Sequence, residues 1–256
     1  MTAAIASYPG LRDRAVLVTG GATGIGADIV RAFAGQGARV SFLDVLDGPA
    51  DDLVAELAAG RHRPVFIHCD LTDAEALRTA VTRAGEAGGP VSVLVNNAAN
   101  DTRHRVEDVT PDLWDKLENI NLRAQFFAAQ AVLPMMRSLG GGSIINLSSI
   151  AWRFGPDEMA VYAAAKSGVL GLTRALARAF GPHNIRVNAI EPGAVMTERQ
   201  RRLWYPTQES VDAMIERQIL RQPLLGQDIA RTALFLASDE ARMITKQSII
   251  VDAGMS

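Results

Sequence analysis

Hydrophobic residues along the chain fall into two alternating kinds of segment. Short runs of β-branched and aliphatic residues are typical of strands, and longer alanine-rich stretches with apolar positions every three or four residues are typical of helices. The predicted strands cover residues 15–20, 39–44, 64–70, 91–99, 142–149, 184–193 and 247–254. The predicted helices cover residues 25–35, 50–59, 74–84, 113–139, 161–180 and 228–238.

This alternation predicts the fold class. Strands that are apolar at nearly every position are buried on both faces, which is typical of a parallel sheet covered by helices. We expect an α/β fold, a doubly wound, Rossmann-type, mostly parallel seven-stranded sheet with helices on both faces. No linker or repeat divides residues 1–256, which predicts a single domain. Residues 197–227 interrupt the alternation and are predicted to form a substrate lid, with a surface excursion as the alternative.

Composition and charge narrow the class of function. The 256 residues carry a net charge of −2 and contain no run of lysine and arginine, which argues against nucleic-acid binding. Cys69 is the only cysteine and the four histidines are scattered, so neither a disulfide nor a metal site is expected. The N-terminus lacks a signal-peptide pattern, and no stretch approaches the ~20 apolar residues of a membrane span. We expect a cytoplasmic protein with a small-molecule substrate and neither nucleic acid nor membrane as partner.

A glycine-rich turn follows the first predicted strand and opens the first predicted helix. The sequence TGGATGIG places Gly20, Gly24 and Gly26 there, a wider spacing than GxGxxG. Glycines let the backbone turn tightly and approach a pyrophosphate at a helix N-terminus, where free N–H groups favour anions. The position of the turn between a strand and a helix supports a dinucleotide site.

A carboxylate ends the second predicted strand, because Asp44 lies eighteen residues beyond Gly26. It can accept hydrogen bonds from both ribose hydroxyls of an adenosine, and it repels a 2′-phosphate. Thr23 stands in the turn where a basic residue would favour that phosphate, and neither Lys nor Arg directly follows Asp44. NAD rather than NADP is the expected cofactor. The alternative is that Asp44 is a solvated turn residue.

A tyrosine and a lysine lie four residues apart in VYAAAKSG, as Tyr162 and Lys166. Residues at this spacing share one face of a helix. A phenol has an ordinary pKa of about 10, too high for a base at neutral pH, and a nearby ammonium lowers that pKa. Such a tyrosine can accept a proton from a hydroxyl group. Taken alone, the pair is also a common arrangement on helix surfaces.

Two further polar residues favour a catalytic role for Tyr162 and Lys166. Ser149 stands at the end of the fifth predicted strand, thirteen residues before Tyr162, where its hydroxyl would face a ligand crevice. Asn121 is a polar residue inside an otherwise apolar predicted helix. Its alternative role is to bond the backbone and bend that helix.

The order of these motifs resembles the short-chain dehydrogenase/reductase family over nearly the whole chain. The matching segments are TGGATGIG, Asp70 in CDLTD, NNAA at 96–99, Asn121, Ser149, YAAAK and PGAVMT at 192–197. The resemblance implies an NAD-dependent oxidoreductase with a catalytic tetrad of Asn121, Ser149, Tyr162 and Lys166. Ser149 would orient the substrate hydroxyl and Tyr162 would exchange its proton. Lys166 would lower the tyrosine pKa and hold the nicotinamide ribose, and Asn121 would support a water-mediated proton path.

The resemblance also implies the remaining cofactor contacts. Asp70 and Leu71 would flank the adenine and Asn97 would border the cofactor. Val195 and Thr197 would meet the carboxamide. The full set of predicted cofactor residues is Gly20, Thr23, Gly24, Ile25, Gly26, Asp44, Asp70, Leu71, Asn97, Ala98, Tyr162, Lys166, Pro192, Gly193, Val195 and Thr197.

Three positions depart from the family pattern. Ala99 and Lys246 stand where many members have glycine, and Glu191 stands where a small or apolar residue is more usual. The turn at Lys246 is expected to be strained if its φ is positive. None of these departures removes a group needed for hydride transfer.

Two polar segments resemble the sugar-oxidising branch of the family, the aldose 1-dehydrogenases acting on xylose, arabinose, galactose or fucose. One begins with NNAANDTRH at residue 96 and the other with VMTERQRRLWY at residue 195. A pyranose requires many hydrogen-bonding groups, and an aromatic ring can pack against its C–H face. The predicted substrate residues are Asn100, Asp101, His104, Ser149, Trp152, Tyr162, Arg199, Gln200 and Trp204. The expected reaction is oxidation at C1 of a cyclic aldose to the lactone, with NADH released.

Several alternative functions are consistent with the same sequence features. Another short-chain dehydrogenase acting on a polyol, a secondary alcohol or a 3-oxoacyl substrate would have the same tetrad. Asp44 argues against the acyl-carrier reductases, which usually use NADPH. A non-catalytic nucleotide-binding protein is disfavoured because all four tetrad positions are filled. The resemblance also implies a homotetramer formed through the predicted helices 113–139 and 161–180, although their apolar positions are equally consistent with an intramolecular core.

Overall fold

A seven-stranded sheet forms the centre of the protein. The computed structural model describes residues 6–256. The strands are β1 Ala15–Thr19, β2 Arg39–Asp44, β3 Val65–His68, β4 Val93–Asn96, β5 Gly142–Leu147, β6 Ile185–Pro192 and β7 Ser248–Val251. They lie in the order β3-β2-β1-β4-β5-β6-β7, and each neighbouring pair is parallel. The predicted α/β fold class is confirmed.

Helices cover both faces of this sheet. They are α1 Gly24–Gly35, α2 Asp47–Glu56, α3 Ala74–Gly88, α4 Pro111–Glu118, α5 Ala124–Ser138, α6 Ala151–Phe154, α7 Ala160–Phe180, α8 Glu198–Leu203, α9 Gln208–Glu216 and α10 Gly226–Ala237. Short 3₁₀ turns cover Pro9–Leu11, Val106–Asp108, Gly181–His183 and Asp239–Ala241. One apolar core joins α1, α2 and α10 to the sheet, and the other joins α3, α5 and α7 to its opposite face.

The sequence of β1 explains why the sheet has two covered faces. All five residues of AVLVT are buried, so successive side chains enter the cores on opposite sides. On one side α1 contributes Ile29 and Phe33, which are fully buried. On the other side α5 contributes Val132 and Met136, which are also fully buried. This continuous burial makes the sheet a rigid support for the loops at its edges.

The strand order reverses direction between β1 and β4. After β3 the chain returns to the other side of β1, so the loops that follow β1 and β4 leave the sheet in opposite directions. In open parallel sheets this point creates a crevice at the carboxyl ends of the strands, where ligands bind. The glycine turn follows β1, and the polar segment that starts at residue 96 continues from the end of β4, so both border this crevice.

The helix predicted over residues 113–139 is interrupted. A π turn, Asn119–Arg123, separates α4 from α5. The wider turn includes Asn121, whose backbone carbonyl accepts a hydrogen bond from the Gln125 side chain at 3.2 Å. Such a π turn often marks a functional site, because it redirects a side chain out of the regular helical pattern. The alternative role of Asn121 as a residue that bends the helix matches this local structure.

Residues 197–227 fold as α8 and α9 followed by an irregular segment that leads into α10. A small apolar cluster of Met196, Val211 and Met214 supports them, separate from the two sheet cores. The predicted last helix starts at Gly226 rather than at residue 228. Movement of this segment as a lid stays a prediction.

Candidate active site

The glycine turn leaves no room for side chains between β1 and α1. A Cβ atom on Gly26 would lie 1.8 Å from the carbonyl oxygen of Gly20. Thr23 precedes α1 without capping it through its side chain, and no acidic residue occupies the first helical turn. The backbone N–H groups at this helix terminus are therefore suited to an anionic group. The turn fits the pyrophosphate of a dinucleotide.

Asp44 holds this turn against the end of β2. One of its carboxylate oxygens accepts a hydrogen bond from Ala22 N–H at 2.9 Å. The other accepts from the N–H groups of Val45 and Leu46 at 2.8 and 3.1 Å. Each carboxylate oxygen can accept more than one hydrogen bond, so these contacts are compatible with ribose binding. Sequence reasoning assigned the ribose role and missed the role in holding the turn.

Asn97 joins the ends of β1 and β4 at the point where the strand order reverses. Its side-chain amide donates to the carbonyl oxygens of Thr19 and Gly20 at 3.0 and 2.8 Å. The Thr19 hydroxyl accepts hydrogen bonds from the backbone N–H groups of Asn97 and Ala98 at 3.0 and 3.2 Å. Asn97 therefore fixes the floor of the crevice as well as bordering it.

All the predicted cofactor residues line one cleft with a volume of about 1590 Å³. They are Gly20, Thr23, Gly24, Ile25, Gly26, Asp44, Asp70, Leu71, Asn97, Ala98, Tyr162, Lys166, Pro192, Gly193, Val195 and Thr197. Asp70 is held by Thr72, whose backbone N–H and hydroxyl both donate to one carboxylate oxygen. These two bonds lower the pKa of Asp70, so it is anionic at the adenine end of the predicted site.

Ser149, Tyr162 and Lys166 meet at the other end of the same cleft. Ser149 follows β5, and its hydroxyl accepts a hydrogen bond from Ala151 N–H at 3.1 Å. Tyr162 and Lys166 project from α7, and the Ser149 side chain lies close enough to the Tyr162 phenol to lower its pKa. The Ser148 hydroxyl donates to the carbonyl oxygen of Lys166 at 2.6 Å, which ties α7 to the end of β5. The arrangement places a hydroxyl, a phenol and an ammonium side by side.

The pKa of Tyr162 differs from the sequence-based expectation. Burial raises it well above its ordinary value, the negative charge of Asp101 raises it further, and only the hydrogen bond with Ser149 opposes them. The Lys166 ammonium lies 5.6 Å from the centre of the tyrosine ring and donates to the Leu147 carbonyl oxygen at 2.9 Å. The lowering of this pKa by Lys166 stays a prediction, because burial and Asp101 set the pKa of Tyr162 in the protein by itself.

The same environment also shifts the pKa of Lys166. Burial lowers the pKa of Lys166 to about 7, and the negative charge of Asp101 opposes that shift. Its side chain is among the largest that are fully buried in the described part of the chain. A buried lysine with a depressed pKa beside a half-buried tyrosine with a raised pKa is typical of a functional site rather than of a structural helix surface.

Asn121 contacts the site through Asn100. It is fully buried in the π turn, and its side chain exchanges two hydrogen bonds of 2.9 Å with the backbone of Asn100. Asn121 does not line the cleft, whereas Asn100 does. The geometry gives Asn121 a role in holding the loop after β4. The water-mediated proton path implied by the family stays a prediction.

An ion pair joins the loop after β4 to α8. The Arg199 guanidinium donates to one carboxylate oxygen of Asp101 at 2.9 Å, and the Gln200 amide donates to the other at 2.7 Å. Nearby, the Arg103 guanidinium lies 3.9 Å from the centre of the Trp204 ring. These residues line the cleft beside Tyr162, as Asn100 does. The structure thus brings five predicted substrate residues to one wall: Asn100, Asp101, Arg199, Gln200 and Trp204.

His104 and Trp152 are not brought to this wall. His104 is buried, and its ring accepts a hydrogen bond from Val161 N–H at 3.3 Å while its other nitrogen bonds the Thr102 carbonyl oxygen at 3.1 Å. It therefore caps the start of α7. The indole of Trp152 donates to Glu191 at 2.7 Å, away from the cleft. Each side chain satisfies a backbone or buried carboxylate group outside the cleft lining, and the assignment of both as substrate contacts stays a prediction.

Two residues that sequence reasoning missed lie beside them. Phe154 follows Trp152 in α6, lines the cleft and is 47% exposed, so it presents the aromatic surface that was assigned to Trp152. Glu191 is a buried carboxylate that binds both Trp152 and Arg153. Its departure from the family pattern was the signal that could have identified it.

Comparisons with known proteins agree with this geometry. A family model described as enoyl-(acyl carrier protein) reductase matches residues 20–256. A solved mutant of a Serratia marcescens short-chain dehydrogenase/reductase superposes with a TM-score of 0.88 at 33% identity, over 96% of this chain and 99% of that one. The chain belongs to the short-chain dehydrogenase/reductase family. This confirms the resemblance stated from the sequence motifs.

Among members of the short-chain dehydrogenase/reductase family, two curated relatives match nearly end to end. A "probable galactose dehydrogenase" of Rhizobium meliloti is 50% identical over 100% of both chains. The D-xylose 1-dehydrogenase of Caulobacter vibrioides is 44% identical over 97% of this chain and 98% of its own. The sugar-oxidising branch named from the two polar segments is therefore the part of the family that this chain is similar to.

No helix within residues 6–256 is long and apolar enough to cross a membrane.

Proposed function

We propose that the protein is an NAD-dependent dehydrogenase that oxidises C1 of a cyclic aldose, such as xylose, arabinose, galactose or fucose, to the lactone. One observation carries the proposal: Ser149 and Tyr162 line the same cleft, close enough for Ser149 to lower the pKa of Tyr162, beside a wall formed by Asp101, Arg199 and Gln200. The pair is suited to a reacting hydroxyl, and the wall is suited to the other hydroxyls of a sugar. The galactose and xylose dehydrogenases named among the relatives support the same substrate class.

Proton removal from the C1 hydroxyl is the task of Ser149 and Tyr162. The Ser149 hydroxyl orients the substrate oxygen, and the Tyr162 phenolate accepts its proton. When bound, an oxidised nicotinamide supplies the hydride acceptor and a positive charge. Because burial and Asp101 raise the pKa of Tyr162, the phenolate needs positive charge nearby. Lys166, whose ammonium lies 5.6 Å from the centre of the Tyr162 ring, provides this charge and would hold the nicotinamide ribose.

Recognition of the sugar is assigned to the wall between the loop after β4 and α8. Asp101 is 17% exposed, and its bonds to Arg199 and Gln200 leave lone pairs for sugar hydroxyls. Arg199 supplies further donors, and Phe154 and Trp204 supply aromatic surface for the C–H face. A site built from such groups discriminates against analogues that lack hydroxyls, because its polar groups would be left unpaired.

NAD is the proposed cofactor because of Asp44. The carboxylate lines the cleft at the end of β2 and holds Ala22 in the glycine turn, so it borders the predicted adenosine ribose. A 2′-phosphate would be placed against this negative charge. Asn97, Pro192, Gly193, Val195 and Thr197 line the cleft toward the nicotinamide end in the same proposal.

A cytoplasmic homotetramer completes the proposal. The segments expected to form its interfaces include α4 and α5, on which Trp114 and Phe126 are 46% and 39% exposed. Large aromatic side chains at the surface are typical of protein interfaces. Sedimentation analysis of the purified protein would test the subunit number.

A substrate panel tests the proposed function. The protein is incubated with NAD or NADP and with galactose, xylose, arabinose or fucose, and formation of reduced cofactor is followed by absorbance. We expect turnover of at least one aldose, faster with NAD than with NADP, and at least about 10²-fold slower with Tyr162→Phe. Lactone formation is then identified by trapping the product with hydroxylamine.

The same panel includes substrates that represent the alternative functions. Polyols, simple secondary alcohols, a hydroxysteroid and a 3-oxoacyl thioester with NADPH represent the other substrate classes of the family. Clear turnover of one of these without turnover of any aldose would replace the sugar proposal. Binding of NAD without turnover of any substrate would favour the non-catalytic alternative.

A further inference from the structure

Glu191 is a buried carboxylate that collects hydrogen bonds from two other elements. Its side chain is 1% exposed on β6. Trp152 Nε1 and Arg153 Nε donate to one oxygen at 2.7 and 3.0 Å, and Arg153 Nη2 donates to the other at 3.0 Å. The Ser248 hydroxyl on β7 also donates to it. Burial raises the pKa of Glu191, but the bonds from Arg153, Ser248 and Trp152 outweigh burial, so the carboxylate is anionic.

Two of these donors belong to α6, the helix that begins two residues after Ser149. A helix of four residues is not stable by itself, so its place depends on its contacts. Its first N–H, from Ala151, donates to the Ser149 hydroxyl at 3.1 Å. The position of α6 therefore sets the direction of the hydroxyl.

Backbone contacts connect the same segment to the strand that carries Glu191. The N–H of Ser148 donates to the Ile190 carbonyl oxygen at 2.8 Å, and the N–H of Ile150 donates to the Pro192 carbonyl oxygen at 3.1 Å. These bonds flank Glu191 on both sides. Beyond Ile150, the side-chain bonds from Trp152 and Arg153 hold α6 against the sheet, while Phe154 lines the cleft.

We propose that Glu191 is a positioning residue for the catalytic serine, which it fixes at the reacting oxygen by holding α6 on the sheet. Glu191 does not line the cleft, so it acts through Trp152, Arg153 and Ser149 rather than on the substrate. The inference rests on the proposed function for the role of Ser149 in orienting a hydroxyl. It goes beyond that function by assigning a role to a residue that departs from the family pattern.

Glu191→Gln is the first test, because the amide keeps the shape of the side chain. It loses the charge and one of the two acceptor oxygens that Arg153 requires. We expect kcat for the substrate found in the panel to fall by about 10²-fold, since small misplacements of reacting groups cost rates of this order. The Kd for NAD, measured by calorimetry, should be unchanged, because Glu191 does not line the cofactor cleft. Loss of NAD binding together with activity would overturn the proposal.

A double-mutant cycle with Ser149→Ala separates positioning from general destabilisation. If Glu191 acts through the Ser149 hydroxyl, Glu191→Gln should have little further effect on kcat once that hydroxyl is gone. Multiplicative losses in the double mutant would overturn the proposal. Trp152→Phe removes a single neutral donor and serves if Glu191→Gln folds poorly. It should lower kcat by a smaller factor that also disappears in the Ser149→Ala background.

Amide hydrogen exchange tests the structural part without any substrate. In Glu191→Gln, the N–H groups of Ile150 and Ala151 should exchange faster than in the unmodified protein, while those of β1 and β4 keep their protection. Uniformly faster exchange, or unchanged exchange at α6, would contradict the inference. Because this measurement needs no turnover, failure of the aldose proposal can be distinguished from failure of the proposal for Glu191.

Discussion

Asn121 and Asn100 exchange two hydrogen bonds of 2.9 Å across the boundary between a helix and a loop. The Asn121 side chain accepts from the N–H of Asn100 and donates to its carbonyl oxygen, as a neighbouring strand would. The π turn Asn119–Arg123 directs the amide out of the helix to make this contact possible. Because Asp101 follows Asn100, the pair also fixes the carboxylate that lies beside Tyr162.

Replacing Asn121 by alanine should disturb this loop. The change leaves the N–H and the carbonyl oxygen of the half-buried Asn100 without their partners, and we take about 1–3 kcal/mol as the cost for the two groups together, because water can reach part of Asn100. We expect the free energy of unfolding to fall by about 1–3 kcal/mol and kcat/KM for the substrate to fall at least about tenfold. Denaturant unfolding and steady-state kinetics measure the two effects.

Asn188 provides a matched control for Asn121→Ala. It is also fully buried, donates to the Ile244 carbonyl oxygen at 2.9 Å and accepts from Gln247 N–H at 3.1 Å, and it does not line the cleft. Asn188→Ala should therefore cost similar stability without changing kcat/KM of the folded protein. Equal kinetic losses in both variants would refute a specific role for Asn121.

Tyr162→Phe should remove the proton acceptor while keeping the ring in place. General acid–base groups contribute on the order of 10²- to 10⁴-fold to rate, so kcat should fall by at least that factor. Calorimetric titration should show that NAD still binds. Tyr205 also lines the cleft, and Tyr205→Phe serves as the control that should retain most of the activity. Retained turnover in Tyr162→Phe would disprove its role as the base.

Two glycines of α1 allow a test of the cofactor turn. In Gly26→Ala the new Cβ would lie 1.8 Å from the Gly20 carbonyl oxygen and 2.6 Å from the Asn97 amide nitrogen, so the turn must shift. We expect the Kd for NAD to rise at least about tenfold and the free energy of unfolding to fall by about 1–3 kcal/mol, as overpacking does elsewhere. Calorimetry and thermal unfolding measure the two effects.

Gly35 is the matched position, because a Cβ there would meet no atom within 4 Å. Gly35→Ala should leave NAD binding unchanged and stabilise the protein by about 0.5–1 kcal/mol. Similar losses of NAD affinity in both variants would show that the effect of Gly26→Ala is not local to the turn.

The fold and the reacting groups follow from local sequence patterns, and this explains why they were predictable. The sheet was predictable because burial on both faces leaves each strand as a continuous apolar run, as in AVLVT of β1. Ser149 was predictable because it lies two residues after a strand that ends at the crevice. The split of the predicted helix 113–139 was not predictable in position, since Asn121 in the π turn bonds Asn100, which is distant in sequence.

The roles of His104 and Trp152 could not be predicted for a different reason. Their partners are Val161, 57 residues away, and Glu191, 39 residues away. The direction of a loop side chain depends on such distant partners, whereas a motif records only the residue type. For the same reason the raised pKa of Tyr162 was missed, because burial and the charge of Asp101 are properties of the assembled site.

Lys246 offers a test of strain far from the cleft. Its φ is 65°. The strain expected for a positive φ at Lys246, where many family members have glycine, is therefore present. A left-handed conformation costs a non-glycine residue roughly 1–2 kcal/mol, offset in part by the greater flexibility of glycine in the unfolded chain. Lys246→Gly should raise the free energy of unfolding by up to about 1 kcal/mol, measured by chemical denaturation.

Asn184 is the control for Lys246→Gly, with a φ of 59°. Asparagine tolerates this conformation better than lysine does, so Asn184→Gly should gain less stability. Neither variant should change kcat/KM, because neither residue lines the cleft. Destabilisation by Lys246→Gly would show that the strain is outweighed by contacts of the lysine side chain.

Asp101→Asn should move the pH profile of the reaction to lower pH. The Asp101 charge raises the pKa of Tyr162, so its removal lowers that pKa and the phenolate forms at lower pH. The same charge opposes the burial that lowers the pKa of Lys166 to about 7, so its removal also lets the ammonium lose its proton at lower pH. Activity that requires the phenolate and the ammonium should therefore rise and fall at lower pH, as measured from kcat at saturating substrate.

Asp157→Asn is the control that distinguishes the effect of Asp101 on the pH profile from a general change in the charge of the cleft. Its carboxylate also lines the cleft, but it is not among the charges that shift the pKa of Tyr162 or Lys166. Asp157→Asn should leave both limbs of the profile in place. A profile of Asp101→Asn that superimposes on that of the unmodified protein would mean that Arg199 already neutralises the carboxylate at 2.9 Å. Asp101 would then act on the sugar through hydrogen bonds alone, visible as a higher KM at unchanged pH dependence.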